Sequence, residues 1–216
     1  MDLLPNTIDD FGYLCIENLY DEDELVYIWN EISNLDYILD VSFDDKDKKI
    51  YADTHNGKDD QGISKMSGFG ITLDTLYEQR QYSPILTLNR KLFSPIISSV
   101  FMETHPANSC YDTINEDFSL LNKYFKDQQY TRHRDSSSFS AITFFSRNKI
   151  EGGELNFSDY NINFECKNNS CIIFPSWVQH NSNKVKSEDR IRYSLAQFMV
   201  IRYWPPQPHQ LKNRNN

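Results

Sequence analysis

Residues 118–146 read FSLLNKYFKDQQYTRHRDSSSFSAITFFS and decide the fold class of the chain. They contain three runs rich in strand-forming residues, at 118–125, 130–135 and 139–146, separated by polar turns. Five further runs follow, at 153–157, 162–167, 170–174, 178–185 and 190–201. Short runs of aromatic and β-branched residues at such close spacing are typical of an antiparallel sandwich or barrel. We therefore predict a mainly β core of eight strands over residues 118–201.

The preceding residues, 1–117, are expected to add an N-terminal elaboration to this core. The pattern predicts a strand at 11–16, then a helix that begins after the acidic residues 21–23. A second helical region is predicted at 73–100, interrupted at Pro84 and Pro95. The polar stretch 40–65 is predicted to be a surface loop that could act as a lid, and 205–216 a flexible tail.

Composition limits the kinds of protein this chain could be. It has 216 residues, of which 39% are hydrophobic, and a formal net charge of −9. This acidic balance argues against nucleic acid as a partner. The four cysteines form no C-x-x-C pair, and no signal peptide or stretch long enough to span a membrane is visible. We expect one domain with free thiols in the cytoplasm; the sequence leaves the oligomeric state open.

His133 and Asp135 are two residues apart in a predicted strand, so we expect both side chains on one face of the sheet. A third ligand must come from elsewhere, and His180 is the best candidate. Two histidines and one carboxylate leave coordination positions open on a metal, the arrangement associated with non-haem Fe(II) oxygenases. Zinc also accepts these ligands, and a His-x-Asp pair alone arises by chance in many proteins.

Four segments resemble the prolyl 4-hydroxylase-like branch of the 2-oxoglutarate/Fe(II) oxygenases, in order and in spacing. They are YFKDQQYTRHRD at 124–135, EGGEL at 151–155, FPSWVQH at 174–180 and RIRYSL at 190–195. The resemblance covers roughly residues 118–200. It implies a double-stranded β-helix, the jelly-roll or cupin-like barrel, and Fe(II), 2-oxoglutarate and O2 as cofactor and co-substrates. It also implies that His133, Asp135 and His180 bind the iron.

The same resemblance implies where the co-substrate binds. Arg192 and Ser194 match the Arg-x-Ser pair that holds the C5 carboxylate of 2-oxoglutarate, and the planar guanidinium of arginine suits a carboxylate. Arg190 is the alternative, because it matches the usual distance from the distal histidine without an insertion. Tyr124 and Tyr130 are expected to line the pocket, although both could equally be ordinary core aromatics.

Five positions depart from the family pattern or have a simpler interpretation. Phe145 stands where many relatives have a tyrosine that helps to hold the C5 carboxylate, and Asp127 replaces a glycine of the first turn. We interpret Trp177 as a core residue packed under the metal-binding strand. Arg132 and Arg134 are expected to point away from the metal face.

The resemblance implies hydroxylation of a C–H bond, with conversion of 2-oxoglutarate and O2 to succinate and CO2. The first expectation for the substrate is a prolyl or other residue of a protein or peptide. The alternatives within the superfamily are a small molecule or, against the acidic charge, demethylation of nucleic acid. A cupin-like module that binds a metal or ligand without turnover is the alternative from another class, whereas a hydrolytic zinc enzyme would need a general base that the motif lacks.

Overall fold

The computed structural model describes residues 1–40, 68–188 and 190–202. The predicted tail at 205–216 and all but the first residue of the predicted loop at 40–65 lie outside the described residues. Both therefore stay predictions.

Eleven strands account for most of the regular structure in the described ranges. Their bounds are Asp2–Thr7 (β1), Gly12–Glu17 (β2), Phe69–Thr72 (β3), Glu116–Tyr124 (β4), Tyr130–His133 (β5), Phe139–Phe145 (β6), Leu155–Phe157 (β7), Ile162–Phe164 (β8), Ser170–Pro175 (β9), His180–Ser182 (β10) and Arg192–Val200 (β11). All eight strands predicted for the core are present, although most are shorter than predicted. β1 and β3 were not predicted.

The strands form two antiparallel sheets. The larger has the order β1-β2-β9-β6-β11-β4-β3, and the smaller has the order β5-β10-β7-β8. In the large sheet, β11 is central, pairing with β4 over nine residues and with β6 over seven. None of the strand pairs found in the described part of the chain joins the two sheets, so the jelly-roll is an open sandwich here rather than a closed barrel.

The N-terminal helix α1 (Glu22–Asp40) begins with a reciprocal capping arrangement. The backbone N–H of Glu24 donates to Asp21 Oδ1, and the backbone N–H of Asp21 donates to Glu24 Oε2, each at 2.9 Å. These bonds satisfy two donors that an isolated helix start would leave free, and the acidic first turn suits the helix dipole. The sequence prediction of a helix after residues 21–23 is confirmed.

The second helical region is broken into short segments. They include α2 (Leu73–Leu76), α3 (Pro84–Leu88) and α4 (Pro95–Thr104). The two prolines occupy the first turn of α3 and α4, where a missing N–H has no cost. They therefore begin helices, whereas we predicted one helix that they interrupt.

Successive side chains along β4, β6 and β11 point to opposite faces of the large sheet. One face packs against the helices in the main apolar core, which includes Ile71, Leu121, Phe145 and Leu195. The opposite face turns toward the small sheet and lines a pocket between the two sheets. The fold thus presents alternate residues of three long strands to a single cavity.

All four cysteines are free, as predicted. Among the residues that the structure describes, no helix is long and apolar enough to cross a membrane.

Candidate active site

His133 and His180 lie opposite each other on two paired strands of the small sheet. His133 ends β5, His180 begins β10, and the two are Cα partners in the antiparallel register. Asp135 lies in the turn after β5, not within the strand as we predicted. Its Oδ1 is 3.3 Å from His133 Nε2, and its Oδ2 is 3.6 Å from His180 Nε2. One donor atom from each of the three side chains lies within 4.8 Å of the others, so the cluster has the dimensions of a site for one metal ion.

Hydrogen bonds fix the tautomer of both imidazoles. Nδ1 of His133 lies 2.7 Å from the backbone carbonyl of Thr131, and Nδ1 of His180 lies 2.9 Å from that of Val178. A carbonyl oxygen only accepts, so each Nδ1 must carry the proton. In the neutral form of either ring, Nε2 then has a free lone pair directed at the cluster, which is the form that binds metals.

Asp135 is held by contacts on several sides. Its Oδ2 accepts a hydrogen bond of 2.6 Å from Ser140 Oγ, and its backbone N–H donates to the carbonyl of Ser176 at 3.1 Å. Burial alone would raise the pKa of Asp135, but its interactions with His133, His180 and Ser140 together lower it. Burial lowers the pKa of His180 to about 4, with Asp135 opposing that shift. Near neutral pH the cluster therefore offers a carboxylate and the neutral His180 imidazole.

The three residues open onto a pocket between the two sheets. The small sheet supplies His133, His180, Tyr130, Leu155 and Ser182, and Asp135 comes from the segment after β5. The large sheet supplies alternate residues of its three long strands: Leu120, Asn122, Tyr124, Ile142, Phe144, Arg192, Ser194, Ala196 and Phe198. A pocket with apolar walls and a few convergent polar groups is the usual form of a small-molecule site.

Arg192 is a buried cation in the wall of this pocket, with only 1% of its surface exposed. Its Nη1 donates to the carbonyl of Gly153 at 2.5 Å and to Ser182 Oγ at 2.6 Å. Its guanidinium carbon lies 4.0 Å from the centre of the Tyr124 ring. Within the described ranges it forms no ion pair, and its Nε is buried without a hydrogen-bond partner. The guanidinium thus has donor capacity that the protein itself does not use.

Two consecutive glycines shape the turn on which Arg192 rests. Gly152 and Gly153 have φ values of +76° and +74°, which other residues adopt only with strain. A Cβ at Gly153 would lie 3.2 Å from Cδ of Arg192. The Gly153 carbonyl also accepts hydrogen bonds from Cys166 Sγ and Ser182 Oγ, at 2.8 and 3.2 Å. Glycine is therefore required here so that the chain can approach the arginine closely.

The other residues predicted for the co-substrate pocket also line it. Tyr124 is the register partner of Arg192, and Ser194 follows two residues later on the same face of β11. Burial raises the pKa of Tyr124 to about 12, against the opposing effect of Arg192 and a hydrogen bond with Ser194. Tyr130 lies beside His133, with ring centres 4.2 Å apart. The predicted residues are therefore brought together, with one exception.

That exception is Arg190. It is exposed, it does not line the pocket, and its guanidinium bonds to the backbone carbonyl of Lys149 on the protein surface. Of the two candidate arginines, only Arg192 reaches the pocket.

Two expectations about single aromatic residues were wrong. Phe145 points away from the pocket into the main core, where it stacks on Tyr20 with ring centres 6.1 Å apart, and Phe144 is the pocket residue. A tyrosine hydroxyl at 145 would not reach the cavity. Trp177 is not a core residue, because 45% of its surface is exposed; its ring makes an edge contact with Phe11.

The remaining positions behave as expected. Arg132 and Arg134 are exposed, and Arg132 pairs with Asp159 on the surface. Asp127, which replaces a family glycine, has a positive φ of 64°. The turn therefore still needs the conformation that glycine adopts most easily.

Three polar residues of the site were missed by the sequence reasoning. Ser140 fixes the carboxylate of Asp135, Ser182 supports Arg192, and Asn122 lines the pocket. Strand alternation could have found Asn122, which is two residues before Tyr124 on β4. No sequence signal marks the two serines.

Comparison with known families and structures agrees with this geometry. Residues 119–200 match the model of the 2OG-Fe(II) oxygenase superfamily. This match covers less than half of the chain, so it shows a similarity to that superfamily over this region. Members of the superfamily use Fe(II), 2-oxoglutarate and O2, and the matched region contains both the metal-site residues and Arg192. No curated protein matches the chain by sequence.

Several solved structures share the fold. A prolyl-4-hydroxylase from Pseudomonas putida is 14% identical, with a TM-score of 0.58 over 90% of this chain and 95% of that one. A prolyl hydroxylase from Trichoplax adhaerens, in complex with a hypoxia inducible factor peptide fragment, is 11% identical, with a TM-score of 0.53 over 88% of this chain and 83% of that one. NgTET1 in complex with 5mC DNA is 14% identical, with a TM-score of 0.54 over 93% of this chain and 78% of that one. Identities this low establish the fold and not the substrate.

Proposed function

We propose that this protein is an Fe(II)- and 2-oxoglutarate-dependent hydroxylase that acts on a prolyl or other residue of a protein or peptide. The observation that supports the proposal is that one pocket contains both a cluster of two histidines and one carboxylate and a buried arginine without an ion pair among the described residues. The cluster suits a divalent metal, and the arginine suits a carboxylate. Together they suit a dicarboxylate that also binds the metal.

The donor set fits iron. His133 and His180 each present Nε2 as a lone-pair donor, and Asp135 presents a carboxylate oxygen, all from one side of the cluster. Two histidines and one carboxylate are the ligands expected of non-haem Fe(II) oxygenases, with positions left open for other ligands. In the proposal these three residues hold the metal, and Ser140 sets the orientation of the carboxylate.

The arginine fits the far carboxylate of 2-oxoglutarate. Nε of Arg192 has no partner, although a buried charged donor without an acceptor is costly. A carboxylate placed against the guanidinium would supply both the acceptor and the opposite charge. Ser194 and Tyr124 lie beside the same position and can donate further hydrogen bonds. Arg190 is excluded from this role in the proposal because it is on the surface.

When bound, the metal couples oxidative decarboxylation of 2-oxoglutarate to hydroxylation of a C–H bond. The contribution of the protein is to position the reactants and to exclude water. Leu120, Ile142, Phe144, Leu155 and Ala196 give the pocket its apolar walls. Such walls strengthen the contacts of the few charged groups inside them.

A protein or peptide substrate is supported by two similar folds, the Pseudomonas putida and Trichoplax adhaerens prolyl hydroxylases, one of them in complex with a peptide. The net charge of −9 favours such a substrate over a polyanion. NgTET1, in complex with 5mC DNA, has a fold of comparable similarity, so DNA is the alternative to include in the assay.

The first test is an anaerobic titration of the Fe(II)-loaded protein with 2-oxoglutarate, followed by the visible charge-transfer band. We expect a band in the wild type, no band in His133→Ala, and a shift to higher 2-oxoglutarate concentration in Arg192→Ala. Arg190→Ala is the matched control and should behave as the wild type. If the wild type binds metal without any response to 2-oxoglutarate, the protein is a metal-binding module and not an oxygenase of this kind.

The second test identifies the substrate. Succinate formation is measured with a proline-containing peptide, with the same peptide carrying alanine in place of proline, and with DNA that contains 5-methylcytosine. Stimulation by the proline peptide alone supports the proposal. Stimulation by DNA alone would replace it with the nucleic-acid alternative.

A further inference from the structure

Three serine hydroxyls form a connected chain of hydrogen bonds beside the metal-site carboxylate. Ser137 Oγ lies 2.6 Å from Ser176 Oγ, and Ser176 Oγ lies 2.7 Å from Ser140 Oγ. Ser140 Oγ in turn donates to Asp135 Oδ2 at 2.6 Å. Ser137 lies in the connection between β5 and β6, Ser140 lies in β6, and Ser176 lies in the turn between β9 and β10. The chain of hydroxyls therefore forms only when the fold brings these three segments together.

The hydroxyls in this chain donate in a definite order. A serine hydroxyl has one proton to donate and two lone pairs with which to accept, whereas an ionised carboxylate can only accept. Since the Ser140 proton is used on Asp135, Ser176 must be the donor in its bond with Ser140. Ser137 must then donate to Ser176, and its longer contact of 3.1 Å with the Phe139 carbonyl is the weaker one. Each hydroxyl thus donates one step closer to the carboxylate, and hydrogen bonds aligned in this way strengthen one another.

Ser176 also holds the backbone of the metal-site segment. Its carbonyl accepts the N–H of Asp135 at 3.1 Å, and its own N–H donates to the carbonyl of Ser138 at 3.2 Å. Ser140 and Ser176 are both 0% exposed, so water does not compete for the bond between their hydroxyls. When the His133 ring is neutral, its Nε2 carries no proton, and Asp135 Oδ1 then has no hydrogen-bond donor among the described residues. The hydroxyl chain thus occupies one carboxylate oxygen and leaves the other free.

We propose that Ser176 is a positioning residue for the metal site, which acts on Asp135 through the hydroxyl of Ser140. The chain keeps Oδ2 occupied and so keeps Oδ1 available to the metal. This inference rests on the proposed function, because it assumes that Asp135 binds a metal. It extends the site to a residue whose hydroxyl neither lines the pocket nor bonds to a metal-site side chain in the described part of the chain.

The test is a double-mutant cycle of Ser140→Ala and Ser176→Ala, in which calorimetry measures the affinity of the metal-free protein for Mn(II). Ser176→Ala keeps the backbone contacts and removes only the hydroxyl. We expect it to weaken Mn(II) binding about fivefold, toward the lower end of couplings between residues in one hydrogen-bond network. In the Ser140→Ala background, Ser176→Ala should have no further effect, because no hydroxyl remains to transmit its loss to Asp135.

Ser170→Ala is the matched control. Ser170 is also a buried serine near the end of the same strand, β9, but its hydroxyl donates to the Lys167 carbonyl outside the chain of hydroxyls. This variant should leave Mn(II) affinity unchanged. Ser176→Cys keeps a weaker donor at the same position, so its affinity should lie between those of the wild type and Ser176→Ala. Thermal unfolding of each variant reports whether the fold is intact, and the cysteine variant replaces the alanine in the cycle if the alanine variant does not fold.

The outcomes separate this inference from the proposed function. If the wild type binds Mn(II) no better than His133→Ala does, the metal site is absent and the proposed function fails. If the wild type binds at this site but Ser176→Ala weakens binding equally in both backgrounds, Ser176 acts through packing alone and the inference is overturned. Wild-type affinity in Ser176→Ala would overturn it as well.

Discussion

Replacing Arg192 by methionine should remove co-substrate binding without unfolding the protein. Arg192 is among the largest fully buried side chains, and truncating such a residue in an apolar core typically costs 2–5 kcal/mol, as an order of magnitude. This arginine differs because it is a cation that forms no ion pair within the described residues. The stability that it contributes is therefore reduced by the cost of burying its charge.

The opposing contributions are similar in size. Methionine would lose two hydrogen bonds from a charged donor, roughly 1.5–3 kcal/mol each, and a cation–π contact of roughly 2 kcal/mol with Tyr124. Removing a buried unpaired charge returns several kcal/mol, as an order of magnitude. The Gly153 carbonyl keeps Ser182 and Cys166 as donors, so this carbonyl is not left unpaired. We expect the free energy of unfolding to change by no more than about 2 kcal/mol, whereas 2-oxoglutarate affinity falls at least about a hundredfold.

Urea denaturation of the Mn(II)-loaded protein, with and without 2-oxoglutarate, measures both quantities. At a ligand concentration one hundred times Kd the wild type should gain about 2.7 kcal/mol, and Arg192→Met should gain almost nothing. Arg190→Met serves as the control and should gain as much as the wild type. A loss of more than about 4 kcal/mol in the ligand-free variant would refute the reasoning, because it would make Arg192 a structural residue.

Three further outcomes are expected. Ser140→Ala should weaken metal binding roughly 10–100-fold, because the hydroxyl orients Asp135; unchanged affinity by calorimetry would rule this role out. Gly152→Ala should destabilise the fold by at least about 2 kcal/mol, because Gly152 has a positive φ and the added Cβ would lie 2.3 Å from the backbone oxygen of Lys184. An unchanged Tm would contradict this. A thiol reagent at pH 8 should modify the exposed Cys110 first, because burial, with nearby Glu17, raises the pKa of Cys15 to about 11. Because thiolate is the reactive form, the modification of Cys15 should become faster as the pH rises. Equal rates of modification of Cys15 and Cys110 at pH 8 would be evidence against this.

The sequence was most informative where one physical rule acts alone. Strand-forming runs separated by turns predicted all eight core strands, because pleated, half-buried surfaces favour these residue types. The histidines of the metal site were predicted from their chemistry and from the resemblance, and the structure brings them into contact with Asp135. β1 was missed because it contains Pro5, which an edge strand tolerates but which a sequence pattern counts as a break.

The errors arose where the answer depends on which face of an element is buried. Phe144 and Phe145 are adjacent, and alternation sends them to opposite faces, so composition could not assign one of them to the pocket. Trp177 is apolar, yet it lies in the turn between β9 and β10, where neighbouring strands do not cover it.

The small sheet has strands of only three or four residues, whereas β4 and β11 in the large sheet have nine each. Amide hydrogens in short strands exchange with solvent through local openings that require little free energy. His133 and His180 are register partners on β5 and β10, so a metal bound to both joins these strands by a link that backbone hydrogen bonds do not provide. Metal loading should therefore slow amide exchange in the small sheet far more than in the large one. The metal would thus hold together the half of the sandwich that its own backbone stabilises least.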